Sequence, residues 1–448
     1  MSTSSSSGTL PHHRRAAVAL AVLCAAALTA AAYTAPANAS RPPGQTAASG
    51  GLRIYYRSPV LIRTGDRVRL PVDVACTTTR GHPCRASIAL GTPGPSGRWR
   101  ETATRALPGL RFDVTRPATR EAEPTGRGVL SFRLTARGAG RTVSLPRPGR
   151  GALRLYVSNA MQGIELPAVR PDRARAGTVA LDMPWGTGPR RAGLSPGNES
   201  ATIGPSSFDV DRRGRIHVLD SLQNRIAVFA RGRLIGQLPI SVTPQSDLAV
   251  ARDGTTYVAE QRSGRVRVVA IAPSGRTRSA RDLGPGILAE LRTGPDSAFA
   301  RLLPLDAWVP VGPRSGRVRT GLPQPSGALF VSSVVRHSIR LGLARRGGVD
   351  RAVELHPRMH LGELALAAPD RDAFVTVFRV LRGGSSAGFQ AARVRADGAL
   401  ATFAISDHDF ADPMASSRFR LGADGNLYQL ATFPDGLRIL RYEMGEGS

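Results

Sequence analysis

Residues Gly204 to Phe229, GPSSFDVDRRGRIHVLDSLQNRIAVF, decide how the chain folds. Phe208 and Val210 alternate with polar neighbours up to a tight turn at Asp211-Arg212-Arg213-Gly214. Ile216 and Val218 alternate in the same way on the return to Asp220, and Ile226 and Val228 resume the pattern beyond a polar bend at Ser221 to Asn224. Alternation of period two marks half-buried strands, and a Gly in the turn gives the backbone freedom that a reversal needs. The stretch reads as three antiparallel strands, with His217 on the outward, solvent-facing parity of the second.

The same grammar returns twice. SDLAVARDGTTYVAEQRSGRVRVV, from Ser246, has its turn at Asp253-Gly254, 40 residues after Gly214. SSRFRLGADGNLYQLATFPDGLRILRYE, ending at Glu443, has Asp424-Gly425 at the same place. Gly254 and Gly425 are 171 residues apart (425 − 254), about four repeats of the ~43 residues a four-stranded blade occupies. Glu363 to Ile405 supplies one unit between them and Leu303 to Leu355 another. Residues 284–327 are loose enough to hold a sixth or to be insertions. The expectation is an all-β chain whose residues 177–448 form a β-propeller, six blades favoured over five.

Phe208 to Phe229 resembles an NHL repeat, the blade motif of a propeller family, and Asp220 with Asn224-Arg225 is its specific part. The second unit carries Glu260 and Gly264-Arg265 there, and the last unit has no acidic residue at that place. The resemblance implies blades around a central channel. It also implies a structural role, tying neighbouring strands, for Asp220 and Arg225. A pair of that kind at the surface contributes on the order of 0–1 kcal/mol; a partly buried pair matters more for blade geometry.

Ahead of the repeats, residues 52–171 hold about seven short alternating segments separated by Gly and Pro, without helical period, which suits a β-sandwich of immunoglobulin-like size. Trp99 and Phe112 suit its core. Val68 to Cys76 and Cys84 to Leu90 read as adjacent strands with Cys76 and Cys84 at facing ends. A disulfide between them closes a short ring and stabilises by roughly 2–3 kcal/mol. Residues 40–51 form a flexible leader. Residues 1–39 look like an export signal: His12-His13-Arg14-Arg15, then an apolar run over 16–33, then Ala37-Asn38-Ala39 before a cut at Ser40. Removal of the signal takes Cys24 away and leaves an even pair of cysteines, as an extracellular chain would have. Membrane attachment follows only if the segment stays uncleaved.

The chain has 61 basic residues, all of them Arg, against 33 acidic ones, for a formal charge of +28. These arginines are spread along the whole length rather than along one helix, and only 5% of residues are aromatic. That pattern fits a compositional drift toward Arg, Ala, Gly and Pro better than nucleic-acid binding, and it leaves contact with anionic cell-wall polymers open.

No phosphate-binding Gly loop or HExxH is present. Propeller enzymes resembling gluconolactonases or streptogramin-inactivating lyases hold Ca²⁺ or Mg²⁺ at one channel mouth with carboxylates, Asn or His. Glu199, Asp247, Glu260 and His408 are the channel candidates for such a site, with Asp220, Asp306, Glu363, Asp407 and Asp409 beside them. Most of these sit at turns or strand starts, where Asp belongs for backbone hydrogen bonding. His356 and His360 have a zinc-like spacing that Pro357 breaks. The sequence therefore points to a secreted, monomeric binding or scaffolding module without cofactor, whose partner is a protein, a cell-envelope polymer or a carbohydrate. A metal-dependent hydrolase or lyase is the alternative.

Overall fold

A computed structural model describes residues 46–49, 52–56, 61–63, 68–69, 72–76, 86–93, 96, 98–106, 113–114, 127–138, 140–145, 153–158 and 161–445, except 197–200, 295–296, 304–306, 313–320, 325–326, 335–337, 346–347, 383–384 and 412–416. Among these residues the protein is all-β, with two single-turn 3₁₀ segments, Pro171–Arg173 and Ser221–Gln223. No described helix is long and apolar enough to cross a membrane; the apolar run 16–33 lies outside the described residues.

Six sheets succeed one another from residue 178 to 442. Sheet I consists of Ser207–Val210, Ile216–Asp220, Arg225–Ala230 and Arg233–Pro239. Sheet II comprises Ser246–Val250, Thr256–Arg262, Arg265–Ile271 and Thr277–Pro285. Ile287–Thr293, Ala298–Leu303 and Ala307–Pro310 make sheet III, inside the stretch whose sequence pattern was too loose to assign. Sheet IV runs from Leu322–Gln324 through Gly327–Val334 and Ser338–Arg345 to Gly348–Pro357. Sheet V is Leu361–Asp370, Ala373–Arg382, Ser385–Arg395 and Leu400–Ile405. Sheet VI combines Phe419–Leu421, Leu427–Phe433 and Gly436–Tyr442 with Thr178–Pro184, which comes from the start of the region and pairs antiparallel with Gly436–Tyr442.

Each sheet packs on the next. Leu219 and Ile226 of sheet I meet Leu248, Val258 and Ile271 of sheet II. Tyr257 and Val268 meet Leu291, Leu302 and Val309 of sheet III. Phe299 and Trp308 join Leu329 and Leu341 of sheet IV and Phe374 and Phe378 of sheet V. Phe389 of sheet V packs edge to face on Phe419 of sheet VI, with ring centroids 4.8 Å apart. Leu430 and Ile439 of sheet VI close on Phe208 and Phe229 of sheet I. The order returns to its start, so the sheets form a ring, and Thr178–Pro184 fastens its two ends.

This stacking corrects the exposure inferred from alternation. A sheet in a ring is covered on both faces, so outward parity no longer means solvent. All five residues of Ile216–Asp220 are buried. His217, on the outward parity, is buried, with its Nε2 3.5 Å from Asp211 Oδ2. Truncating one of the fully buried aromatics, such as Phe208 or Phe229, would cost about 3–5 kcal/mol.

Before the ring, Thr46–Ser49, Leu52–Tyr56 and Val72–Cys76 form one sheet. Leu61–Arg63, Leu153–Ser158, Arg127–Gly138, Ala86–Pro93 and Trp99–Ala106 form another, with Arg141–Leu145 also paired to Arg127–Gly138. The two sheets share one core, which includes Leu52, Ile54, Ile88, Phe132 and Leu145. The segment Val68 to Cys76 is not one strand: Val68–Arg69 pairs with Asp113–Val114, and Val72–Cys76 pairs with Leu52–Tyr56. Trp99 is half-buried, with the Arg133 guanidinium 4.7 Å over its ring. Cys76 is half-buried at the end of its strand; Cys84 and Phe112 lie outside the described residues. Gln162–Leu166, just before residue 171, crosses into the ring and pairs in parallel with Gly348–Pro357 of sheet IV.

Candidate functional site

The leading strands of neighbouring sheets lie beside one another at the middle of the ring, and charged side chains meet there. Asp247, on the leading strand of sheet II, is buried. Its Oδ1 accepts from Ser207 Oγ of sheet I at 2.6 Å, from its neighbour Leu248 N at 2.8 Å and from Arg420 Nη2 of sheet VI at 2.8 Å. Its Oδ2 accepts from Leu291 N of sheet III and from Ser417 Oγ, both at 2.7 Å. One carboxylate thus ties four sheets together.

Arg420 is the matching cation, itself buried. Nε donates to Phe208 O at 3.0 Å, and Nη2 donates to Leu248 O at 2.8 Å as well as to Asp247. Burial opposes its charge, but the Asp247 and Asp209 carboxylates outweigh burial and hold the guanidinium above its ordinary pKa. Asp209 lies 3.8 Å from Arg420 Nε. Its own oxygens accept from Val210 N at 2.8 Å and Val250 N at 2.7 Å, and burial pushes its carboxyl up. Asp247 is therefore the principal counter-ion. Beside the network, Glu290 pairs with Arg292 on sheet III. Glu290 and Arg301 also edge a small, partly open cavity of about 50 Å³, otherwise walled mainly by Trp308, Leu322, Leu329, Leu364 and Leu366.

A second polar cluster sits where the ring closes. Asp220, fully buried, caps the 3₁₀ turn by accepting from Gln223 N at 3.3 Å. It also accepts from Gly193 N at 3.1 Å and Gln223 Nε2 at 2.8 Å, with Arg225 Nη2 3.4 Å away. Burial pushes the Asp220 carboxyl up, and these donors pull against it. Arg225 donates onward to Pro189 O at 3.0 Å, to Gln237 Oε1 at 3.2 Å and to Arg191 O. Gln223 Nε2 reaches Arg191 O at 2.9 Å and Gly186 O at 3.2 Å. The Asp220 to Arg225 bend therefore clamps the loop over residues 186–193, which leads out of the closing strand Thr178–Pro184. Residue 193 must be Gly, because a Cβ there would stand 2.7 Å from Asp220 Oδ1.

The remaining candidates do not join these clusters into a reactive centre. Glu260 is buried on the second strand of sheet II and has Arg267 Nη1 at 4.0 Å. Its cross-strand partner is Arg267, not Arg265: the bend of sheet II is the two-residue Ser263-Gly264, both at positive φ, which pairs Arg262 with Arg265. Arg265 instead points outward to Asp282 at 2.6 Å. His408 packs against Phe433, ring centroids 4.4 Å apart, and burial lowers its pKa. Asp407 pairs with Arg418 at 2.7 Å and Arg379 at 3.1 Å. Asp409 and Glu363 are exposed, as is His360, whereas His356 is half-buried at the end of a strand. Glu199 and Asp306 lie outside the described residues. Among the described residues no three His, Cys, Asp or Glu side chains stand together as metal ligands.

Arg420 was hidden among 61 arginines. Its signal is positional: it lies five residues before Gly425 (425 − 420), as Asp209 lies five before Gly214 (214 − 209), so equivalent places in two modules carry opposite charges.

No protein-family model matches the chain, and no curated protein matches it in sequence. Among solved structures it is similar to virginiamycin B lyase from Staphylococcus aureus, at 14% identity and TM-score 0.32 over 56% of this chain and 88% of that one. It is also similar to apo AztD from Citrobacter koseri, at 11% identity and TM-score 0.28 over 82% of this chain and 93% of that one. A third match is a protein of unknown function from Bacteroides caccae, at 13% identity and TM-score 0.31 over 50% and 96%. Likenesses this distant carry no residue over.

Proposed function

We propose that the protein is an exported, non-catalytic binding module: an immunoglobulin-like sandwich stapled by Cys76 and Cys84, followed by a six-bladed propeller of NHL type, acting as a monomer at the cell surface or outside it. The observation that carries this reading is the state of the ring's charged centre. Both Asp247 oxygens and two of the three Arg420 nitrogens are engaged by side chains and backbone of the ring itself. Such groups position strands; they are not held ready for a substrate. Asp220 and Arg225 are likewise taken up by the closing loop. Recognition then falls to the surface turns, which a rigid ring holds in fixed places. The partner class is an anionic polymer of the cell envelope, in keeping with the formal charge of +28.

Retention of the purified chain on isolated cell walls, reversed by high salt, tests this reading; a chain that passes through without retention, or that turns over a small molecule with added Ca²⁺ or Mg²⁺, would overturn it. Mass spectrometry of protein alkylated without reduction should find neither Cys76 nor Cys84 alkylated.

A further inference from the structure

The turns of sheets I and II carry a cationic surface that the ring does not use. In an antiparallel four-stranded sheet, the turn joining strands one and two lies at the same end as the turn joining strands three and four. The registers bear this out: Ile216 pairs with both Val210 and Phe229, and Thr256 pairs with both Val250 and Ile271. Five arginines occupy these ends: Arg212 and Arg213 in the first turn of sheet I, Arg231 in its second, Arg252 in the first turn of sheet II and Arg276 in its second. All five are exposed, and none of the five side chains forms a hydrogen bond or ion pair with the described residues. Sheets I and II are ring neighbours in a shared core, and a Cβ on Gly275, beside Arg276, would meet Leu238 of sheet I at 3.5 Å.

The acids in the same turns are already neutralised. Asp211 takes the Arg215 guanidinium at 2.6 Å, and Asp253 takes Arg278 at 2.9 Å. The equivalent turns of sheets V and VI differ. In sheet V, Arg393 and Arg395 pair with Asp370, Asp372 and Asp397, so that with the exposed Arg371 three arginines face three carboxylates. In sheet VI, the turn holds Asp424, bonded to Asn426 and Tyr428, and no Arg. One sector of the ring therefore presents five unpaired guanidinium groups and a net positive charge, and another is balanced or acidic.

We infer that the turn ends of sheets I and II bind a linear, phosphate-bearing polyanion through Arg212, Arg213, Arg231, Arg252 and Arg276. This deepens the binding-module reading and rests on it. Arginine suits phosphate because its planar fork can give two parallel hydrogen bonds to one anionic group. A flexible chain of repeating charges matches guanidinium groups distributed over two adjacent sheets. Nucleic acid is the poorer partner: residues 211–215, 231–232, 251–255 and 272–276 include no aromatic side chain on which bases could stack, and no described helix is available to enter a groove.

The test uses the full chain and long-chain inorganic polyphosphate as the probe, with polyglutamate and single-stranded DNA of similar charge as comparison arms, at near-physiological salt. Two variants of equal charge are compared, each checked for an unchanged thermal midpoint. One replaces Arg212, Arg213, Arg231, Arg252 and Arg276 with Ser. The other replaces Arg98, Arg100, Arg105, Arg262 and Arg382, also exposed, with Ser. The turn variant should lose at least about tenfold in polyphosphate affinity, with a shallower salt dependence because fewer counterions are released. The second variant should stay within about threefold of wild type. Equal loss in both variants would assign binding to overall charge and overturn the inference, as would wild-type binding of DNA or polyglutamate as tight as that of polyphosphate, or no binding of polyphosphate at all. Cell-wall retention that survives in the turn variant would overturn the polyanion surface while leaving the binding module standing.

Discussion

The bends of sheets I and II are written in nearly the same letters and do different work. In sheet I, Asp220 is fully buried, caps a 3₁₀ turn and grips the loop from the closing strand through Gly193, while Arg225 holds the same loop by its carbonyls. In sheet II, Glu260 stands 4.0 Å from Arg267, and Arg265 makes an exposed pair with Asp282. Two residues of bend replace four, and no closing loop lies across them. The charged motif is therefore complete where the ring must be fastened. The difference teaches that charge in this protein matters where it is buried and shared between elements, and little where it only decorates an edge.

That contrast can be broken by mutation. The largest effect is expected at the centre: Arg420→Met leaves Asp247 buried without its cation and should lower stability by about 3–5 kcal/mol in chemical denaturation. Next comes the clamp. Asp220→Ala removes the cap and leaves Arg225 buried without its carboxylate, at a cost of about 2–3 kcal/mol. Hydrogen exchange should then speed up at Gly193 and Gln223, whose amides Asp220 accepts. A smaller effect belongs to the turn carboxylate Asp211. Burial alone would push its carboxyl up, but the His217 contact and the Arg215 donors prevail and hold it well below the ordinary carboxylate range. A depressed folded pKa gives stability that is fully present above the unfolded value, about 3.9, and lost as pH falls through the folded value. Asp211→Asn should therefore be less stable than wild type at neutral pH, with the gap narrowing as the solution is acidified below about pH 4. The smallest effect is expected in sheet II, where Arg265→Ala should change stability by no more than about 0.5 kcal/mol. A cost there equal to that of Asp220→Ala would erase the distinction between the two bends.

Much of the ring could be read from the sequence, because turn glycines at Gly214, Gly254 and Gly425 fix the module and alternation fixes its strands. Sheet III was illegible: its strands Ala298–Leu303 and Ala307–Pro310 are short and lack a turn glycine between them. Gln162–Leu166 was illegible for another reason. Its partner lies near residue 350, and parallel pairing at such a separation leaves no local mark. His217 was misplaced because alternation reports which face a side chain takes, not what covers that face. Of the channel candidates, Asp247 reaches the centre, but the pattern gave no sign that its cation would be Arg420, which looks like every other Arg in a strand. Glu260 resembled Asp220 by letter and departs from it by register, a difference set by the length of the bend.

The claim beneath these comparisons is that the buried charges at the middle of the ring hold its sheets to one another. A double-mutant cycle between Asp247→Asn and Arg420→Met, followed by denaturant unfolding, measures that directly. Coupling of about 1.5 kcal/mol or more, with the double variant less destabilised than the sum of the singles, is the predicted result. Additive costs, with coupling under about 0.5 kcal/mol, would contradict it.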